Sequence, residues 1–208
     1  MSHIDIADPS VIAIPIKDTG ERLISVEGLI EIGPPAESSA TQEHYHLLRE
    51  SVVKKLIRAQ SHLPTGLRFR IYEGYRCPRF QSELFEQQLT RELAINPLLT
   101  SEEAFKNASL LVAPVTTYEG KTLSPPHSTG GALDIEIVNT SGQVLDFGME
   151  IKEWSTVPAE LCETKTPNLS SLALSNRNLL CSVLQAEGFV NYTREWWHFS
   201  YGDQYWLM

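Results

Sequence analysis

Near the C-terminal end, Glu195-Trp196-Trp197-His198 sets a carboxylate and an imidazole three residues apart inside a run of aromatics. Large aromatic side chains go inside, and ionisable groups carried in with them are costly unless they pair, hydrogen-bond or hold a metal. Any fold this chain adopts therefore has to bring partners to this stretch. Alone the pair is a weak signal, because Glu-x-x-His arises often by chance and a core His beside a surface Glu is the simpler reading. Residues elsewhere in the chain must decide.

The chain has 208 residues, enough for one large domain with a buried core. A formal charge of −9 leaves no Lys/Arg stripe to neutralise phosphates or anionic lipid, which excludes nucleic-acid binding and a polybasic membrane anchor. No stretch approaches the roughly 20 apolar residues that span a bilayer. The opening Met1-Ser-His-Ile-Asp-Ile is acidic and unlike a secretory leader, so a cytoplasmic protein is expected. Cys77, Cys162 and Cys181 are odd in number and widely spaced, which predicts reduced thiols and leaves His and carboxylate as the metal-binding groups.

Residues 1–40 read as an extended arm of short pieces, with Val11–Ile16 and Arg22–Ile32 as candidate strands broken by Pro9, Pro15, Gly28 and Pro34-Pro35. Leu47, Leu48, Val52, Val53, Leu56 and Ile57 mark one face of a helix predicted over Thr41–Ser61. Leu67–Tyr72 alternates as a half-buried strand and runs into the loop Glu73-Gly74-Tyr75-Arg76-Cys77-Pro78. Helices follow over Arg79–Leu93 and from Thr100, which has capping-box spacing to Glu103, toward Leu111. Ala132–Val138 alternates again, with Gln143–Phe147 predicted to return against it as a hairpin. Ser170–Glu187 is a helix stopped by Gly188, and Phe189–Tyr192 with Trp196–Tyr201 form a last hairpin. Helices come mostly first and hairpins mostly later, without βαβ alternation. The expectation is one α+β domain over residues 1–208, its central sheet mainly antiparallel and flanked by helices.

The partners sought for His198 lie in His127-Ser-Thr-Gly130-Gly131-Ala-Leu-Asp134. The glycines let the backbone turn sharply between a loop His and a strand Asp, so both side chains can converge on one ion. The spacing is not the i, i+4 of a helical zinc motif. Two His and a carboxylate suit Zn²⁺ with a fourth position open for water; the same set can hold Fe²⁺, although nothing else points to oxygen chemistry. Residues three apart on a strand face opposite sides, so if His198 faces the metal, Glu195 must come from a turn or bulge. There it can serve as general base. Trp196 shares the nominal face of His198 and is expected to wall the site, with Trp197 and Phe199 in the core. Arg76 is the candidate for stabilising an oxyanion. His44 and His46 are read as surface residues, Asp203 as a turn or as a partner orienting a ligand His, and Cys77 as a bystander.

Glu73-Gly-Tyr-Arg76-Cys-Pro78, His127-Ser-Thr-Gly-Gly-Ala-Leu-Asp134 and Asn176-Arg-Asn-Leu-Leu180 through Gly188-Phe189 to Glu195-Trp-Trp-His198, in that order, resemble the D-alanyl-D-alanine dipeptidases of the VanX type. These belong to the peptidase M15 group of zinc D,D-peptidases, whose fold is shared with the hedgehog signalling domain. The resemblance runs from about residue 45 to the end. It implies one Zn²⁺ on His127, Asp134 and His198, Glu195 as general base, Arg76 as the group stabilising the tetrahedral intermediate, and a small D-amino-acid dipeptide from cell-wall peptidoglycan metabolism as substrate. A D,D-carboxypeptidase or muropeptide peptidase of the same fold, or a zinc-binding module without activity, are the alternatives. Three departures stand out: Pro125 where the family has Ser, Cys77 between the Arg and the Pro, and Lys152 where the family places the Asp that holds the substrate's ammonium group. Glu150 or Glu153 would replace that Asp if the loop is shifted.

Overall fold

The computed structural model describes residues 4–34 and 41–208; Met1–His3 and residues 35–40, including Pro35 of the Pro34-Pro35 break, lie outside it. The fold is α+β. Its five-stranded sheet has the order β2 (Glu31–Ile32), β4 (Arg68–Glu73), β5 (Ala132–Val138), β7 (His198–Ser200), β6 (Val190–Asn191), with β2 parallel to β4 and every other pair antiparallel. A separate antiparallel pair joins β1 (Leu23–Ser25) to β3 (Leu47–Arg49). The helices are α1 (Pro9–Ile12), α2 (Glu50–Ser61), α3 (Pro78–Ile95), α4 (Ser101–Ser109), α5 (Ala159–Cys162) and α6 (Ser171–Ala186). None of them is long and apolar enough to cross a membrane.

Strand β5 is buried along its whole length, and its two faces have different chemistry. Leu133, Ile135 and Ile137 join Phe69 and Ile71 of β4 and Phe199 of β7 in the main core, where Val52, Val53 and Leu56 of α2 and Leu180, Val183 and Leu184 of α6 also pack. Fully burying each such side chain contributes about 1.5–3 kcal/mol. The opposite face carries Ala132, Asp134 and Glu136. Buried Glu136 meets Arg70 of β4, Nε to Oε1 at 2.7 Å. A smaller apolar cluster between α3 and α4 (Phe85, Ala108 and Val112) adjoins this second face through Trp154.

Several expectations need correction. The helix expected from Thr41 starts only at Glu50, because Leu47–Arg49 bond to β1 and Arg49 N donates to Gly130 O (3.0 Å), which takes them out of helical geometry. Val11–Ile16, expected as a strand or ordered arm, begins with the last two residues of α1: Asp8 caps that helix by accepting from Ser10 N (2.8 Å), and Pro9 at the first position suits a helix start. The hairpin return over Gln143–Phe147 reduces to one bridge at Val144, with Leu145 N donating to Ile137 O (2.9 Å). His44 and His46 are half-buried in the turn before β3 rather than on a helix surface. The capping box at Thr100/Glu103 and the end of α6 follow the expected pattern, with Gly188 taking φ +85°.

Among the described glycines, Gly131, just before β5, has the least room for a side chain. A Cβ there would run into the Arg49 guanidinium and stand 2.6 Å from Tyr201 O. Gly131→Ala is expected to destabilise the fold by about 1–3 kcal/mol, read as a lower urea midpoint at unchanged slope. An unshifted midpoint would mean that Tyr201 and the strand end move aside freely.

Candidate metal centre

Sheet register brings the site together. Asp134 lies directly opposite His198 across β5 and β7, and opposite Glu73 across β4 and β5. Glu73 is on this face only because the β4–β5 pairing slips between Ile71 and Glu73, where two residues of β4 advance against one of β5. Without that bulge Glu73 would share the core-facing side of Phe69 and Ile71. His127 comes from the 3₁₀ turn Pro126–Thr129 between two loop prolines and Gly130, which takes φ +69°. Its Nδ1 donates to Gly74 O at 2.8 Å, which leaves the Nε2 lone pair facing the strands.

Three ligand-type atoms then converge. His127 Nε2 is 3.2 Å from His198 Nδ1, His198 Nδ1 is 3.1 Å from Asp134 Oδ1, and His127 Nε2 is 3.4 Å from Asp134 Oδ1. A tetrahedral ion with bonds of 2.0–2.1 Å has ligand–ligand edges of about 3.3–3.4 Å, so the triangle is the size of one face of such a polyhedron. All three residues are buried, and a carboxylate and two imidazole lone pairs turned on one another fit a divalent cation better than any arrangement of shared protons. Among the described residues this is the group of three that offers a metal site.

Glu195 stands beside the triangle, its Oε2 3.8 Å from His198 Nδ1. It sits in the turn between β6 and β7, where Glu195 N donates to Tyr192 O (2.8 Å) and Glu195 O accepts from His198 N (3.2 Å). Strand parity required a turn here. Burial pushes the Glu195 carboxyl well above the usual carboxylate range, and nearby Asp134 adds to this against the pull of His198 and Arg76. Asp134 behaves in the opposite way: burial would raise it, but His127 and His198 hold it far below the ordinary value. The two carboxyls are thus separated in character, one kept ionised and one disposed to take a proton.

Arg76 follows β4 and reaches into the same cavity. Its guanidinium pairs with Glu73 through Nη2, and Nη1 donates to Gln81 Oε1 at 3.0 Å. Gln81 Nε2 in turn donates to Ala113 O (2.7 Å). Burial pulls the Arg76 pKa down, and Glu73, Asp134 and Glu195 more than offset it. Arg76 Nε and Glu73 Oε1 remain buried without hydrogen-bond partners. The cavity holds about 100 Å³, well under the roughly 300–1,000 Å³ of pockets for drug-sized ligands.

Sequence reasoning missed Glu73 and Gln81, the groups that fix Arg76, although Glu73 lies in the same short segment as Arg76. Trp196, expected to wall the site, is in the core instead, and Trp197, in the core as expected, is the tryptophan that also reaches the cavity. Trp196 is fully buried and stacked on Phe147 (ring centroids 4.2 Å apart, 10° between planes), while Trp197 lines the cavity. Both are in the turn, where strand alternation does not apply. Lys152 is exposed, paired with Glu150 at 2.6 Å and away from the cavity wall; from that loop Ile151 and Trp154 reach the site, whereas Glu150 and Glu153 do not. Asp203 accepts from Trp206 N (3.0 Å) as a turn residue.

The peptidase M15 family profile described as D-ala-D-ala dipeptidase matches residues 37–207. A D-alanyl-D-alanine dipeptidase of Synechocystis sp. is 30% identical over 218 residues, covering 94% of this chain and 87% of that protein. One of Escherichia coli (strain K12) is 33% identical over 78 residues, 38% of each chain. Among solved structures, VanYB in complex with D-Alanine-D-Alanine is 16% identical with a TM-score of 0.46, over 76% of this chain and 74% of that one. A mutant of the D,D-pentapeptidase VanY in complex with Zn(II) is 15% identical with a TM-score of 0.46, over 94% and 89%.

Proposed function

Because the chain belongs to the peptidase M15 family of D-ala-D-ala dipeptidases, we propose that it is a zinc-dependent dipeptidase cleaving a free dipeptide of the D-Ala-D-Ala type. The observation that carries this is the triangle of His127, Asp134 and His198 with a carboxylate and a guanidinium placed around it in one small cavity. One zinc per chain would be held by these three residues. Bound there, zinc supplies a Lewis acid and lowers the pKa of its water to about 7.

The remaining work belongs to the chain. Glu195 takes a proton from the attacking water as the new C–O bond forms, and then delivers it to the nitrogen of the leaving amino acid, so that the C–N bond breaks as the carbonyl is restored. Its raised pKa suits a group that must hold that proton between the two steps. Arg76 offers an unpartnered Nε–H toward the carbonyl oxygen as negative charge builds on it, and Glu73 and Gln81 fix the guanidinium plane beforehand. The smallness of the cavity favours a free dipeptide over the end of a long peptide. Residues 1–208 act as one domain, since Ile6, outside the family-matched segment, is also in the cavity wall.

Arg76→Lys keeps the charge but loses the planar fork. It is expected to lower kcat/KM by about 10²–10³ with metal content unchanged; a variant within threefold of the parent would remove Arg76 from this role. The deciding experiment for the function is metal analysis joined to D-Ala release from D-Ala-D-Ala, with and without a chelator. Zinc near one per chain and chelator-sensitive turnover restored by Zn²⁺ are expected. Turnover by metal-free protein would overturn the mechanism. Preferential cleavage of longer peptides would favour a carboxypeptidase, and zinc without activity on any D,D-peptide would favour a non-catalytic module.

A further inference from the structure

Residues 4–14 precede the family-matched segment, which begins at residue 37, yet one of them, Ile6, is in the wall of the site. Ile6 lines the cavity together with Arg76, His127 and Glu195. Its backbone N–H points to Tyr192 Oη at 3.5 Å, and Tyr192 packs edge-on against His198 with ring centroids 5.9 Å apart. Asp5 forms an ion pair with Arg194, the residue before Glu195. Beyond Ile6 the segment is firmly seated: Val11 is buried against Tyr192 and Tyr205, and Gln204 Nε2 donates to Ile12 O (3.1 Å) and Ile14 O (2.6 Å).

The two ends of this strap are held very differently. The Val11–Ile14 end has apolar burial and two backbone hydrogen bonds. The Asp5–Ile6 end, which reaches the cavity wall, packs Ile6 only partly buried against the same cluster and keeps a local hydrogen bond from Asp8 N to Asp5 O (2.9 Å). It meets the rest of the chain through one part-exposed ion pair and one long hydrogen bond, the kinds of polar contact that contribute least. Resting on the dipeptidase reading above, we propose that this strap sets the upper length of the substrate. Ile6 occupies the space that a residue N-terminal to a D-Ala-D-Ala pair would need, and the Asp5–Arg194 pair keeps it there. Ile6 is therefore a specificity-determining residue that excludes peptides longer than two residues. It takes no part in the bond-breaking step.

The test compares kcat/KM for D-Ala-D-Ala and for a tripeptide ending in the same pair, using the zinc-loaded 208-residue protein. Parent, Ile6→Ala, Asp5→Arg, Arg194→Asp and the double exchange Asp5→Arg/Arg194→Asp are measured side by side. The parent is expected to prefer the dipeptide. Ile6→Ala and Asp5→Arg are expected to raise the tripeptide-to-dipeptide ratio by about tenfold, the scale of discrimination that steric exclusion from an apolar pocket provides. The double exchange should bring the ratio back toward the parent value. If the parent cleaves the dipeptide and the ratio stays within twofold in every variant, or both substrates lose rate equally, the strap inference is overturned while the dipeptidase reading stands. If the zinc-loaded parent cleaves neither peptide, both fall.

Discussion

Replacing Glu195 by Gln is expected to lower kcat by about 10²–10⁴ while leaving zinc content and affinity unchanged. The carboxylate lies outside the 3.1–3.4 Å triangle of ligand-type atoms, 3.8 Å from His198 Nδ1, so an ion held by that triangle would lose no protein ligand when it is replaced. Gln has the same shape but cannot take a proton from water. Stability should not fall with activity: burial alone already works against the charged form of Glu195, and a neutral amide removes that cost. The expected signature is full metal occupancy, a thermal midpoint equal to or above that of the parent, and lost turnover. His198→Ala should give the opposite set of results, with metal and activity lost together. A Glu195→Gln protein that turns over within a few-fold of the parent would end the assignment of Glu195 as base. One that loses its zinc would make Glu195 a ligand instead.

The second large effect concerns stability. Arg177 on α6 is fully buried and has backbone carbonyls as its hydrogen-bond partners: Nε and Nη2 donate to Phe147 O at 2.8 and 2.6 Å, Nη2 to Leu161 O at 2.9 Å, and Nη1 to Glu163 O. Its guanidinium lies 5.5 Å from the ring of Trp196, which stacks on Phe147. One side chain therefore ties two irregular segments, around Phe147 and Leu161–Glu163, to the turn that carries Glu195. Burial lowers its pKa to about 10, yet at neutral pH it stays charged in native and unfolded chains alike. Arg177→Met fills much of the volume but strands these carbonyls without donors. Each such loss costs about 1–3 kcal/mol, and a total of about 3–5 kcal/mol is expected because some carbonyls find water. Urea unfolding would register it as a lower midpoint. A loss under about 1 kcal/mol would show that the loops hold without this residue.

Some features could be read from residue types alone. The grouping of His127, Asp134 and His198, which the structure brings together, was legible because few combinations of buried His and carboxylate make chemical sense: once His198 is placed in an aromatic run, His127 and Asp134, separated by two glycines, are natural partners. Glu195 was assigned to a turn by parity, and it is in one. Other features were beyond reach. Glu73 gave no signal in its own segment, because its orientation depends on a slip in pairing with β5, a strand some sixty residues later. The start of α2 was misread because Leu47 and Leu48 continue a helical pattern of apolar residues, while the bonds that make them a strand come from β1 and from Gly130. Lys152 drew attention by its place in the chain, and the structure turns it to solvent with Glu150.

Taken alone, then, the sequence determined the inventory: which buried groups could share a divalent ion, that Glu195 must leave the strand that carries His198, and that the core is built from alternating strands under amphipathic helices. These follow from local properties, namely side-chain type, hydrophobic period, and the conformations open to glycine and proline. Only the tertiary structure decided the alignment: Asp134 opposite both His198 and Glu73, Trp197 rather than Trp196 against the cavity, and Ile6 in the cavity wall. Each depends on register or packing between segments far apart in the chain. The energies that choose one register over the next belong to the assembled sheet and to no single stretch of it.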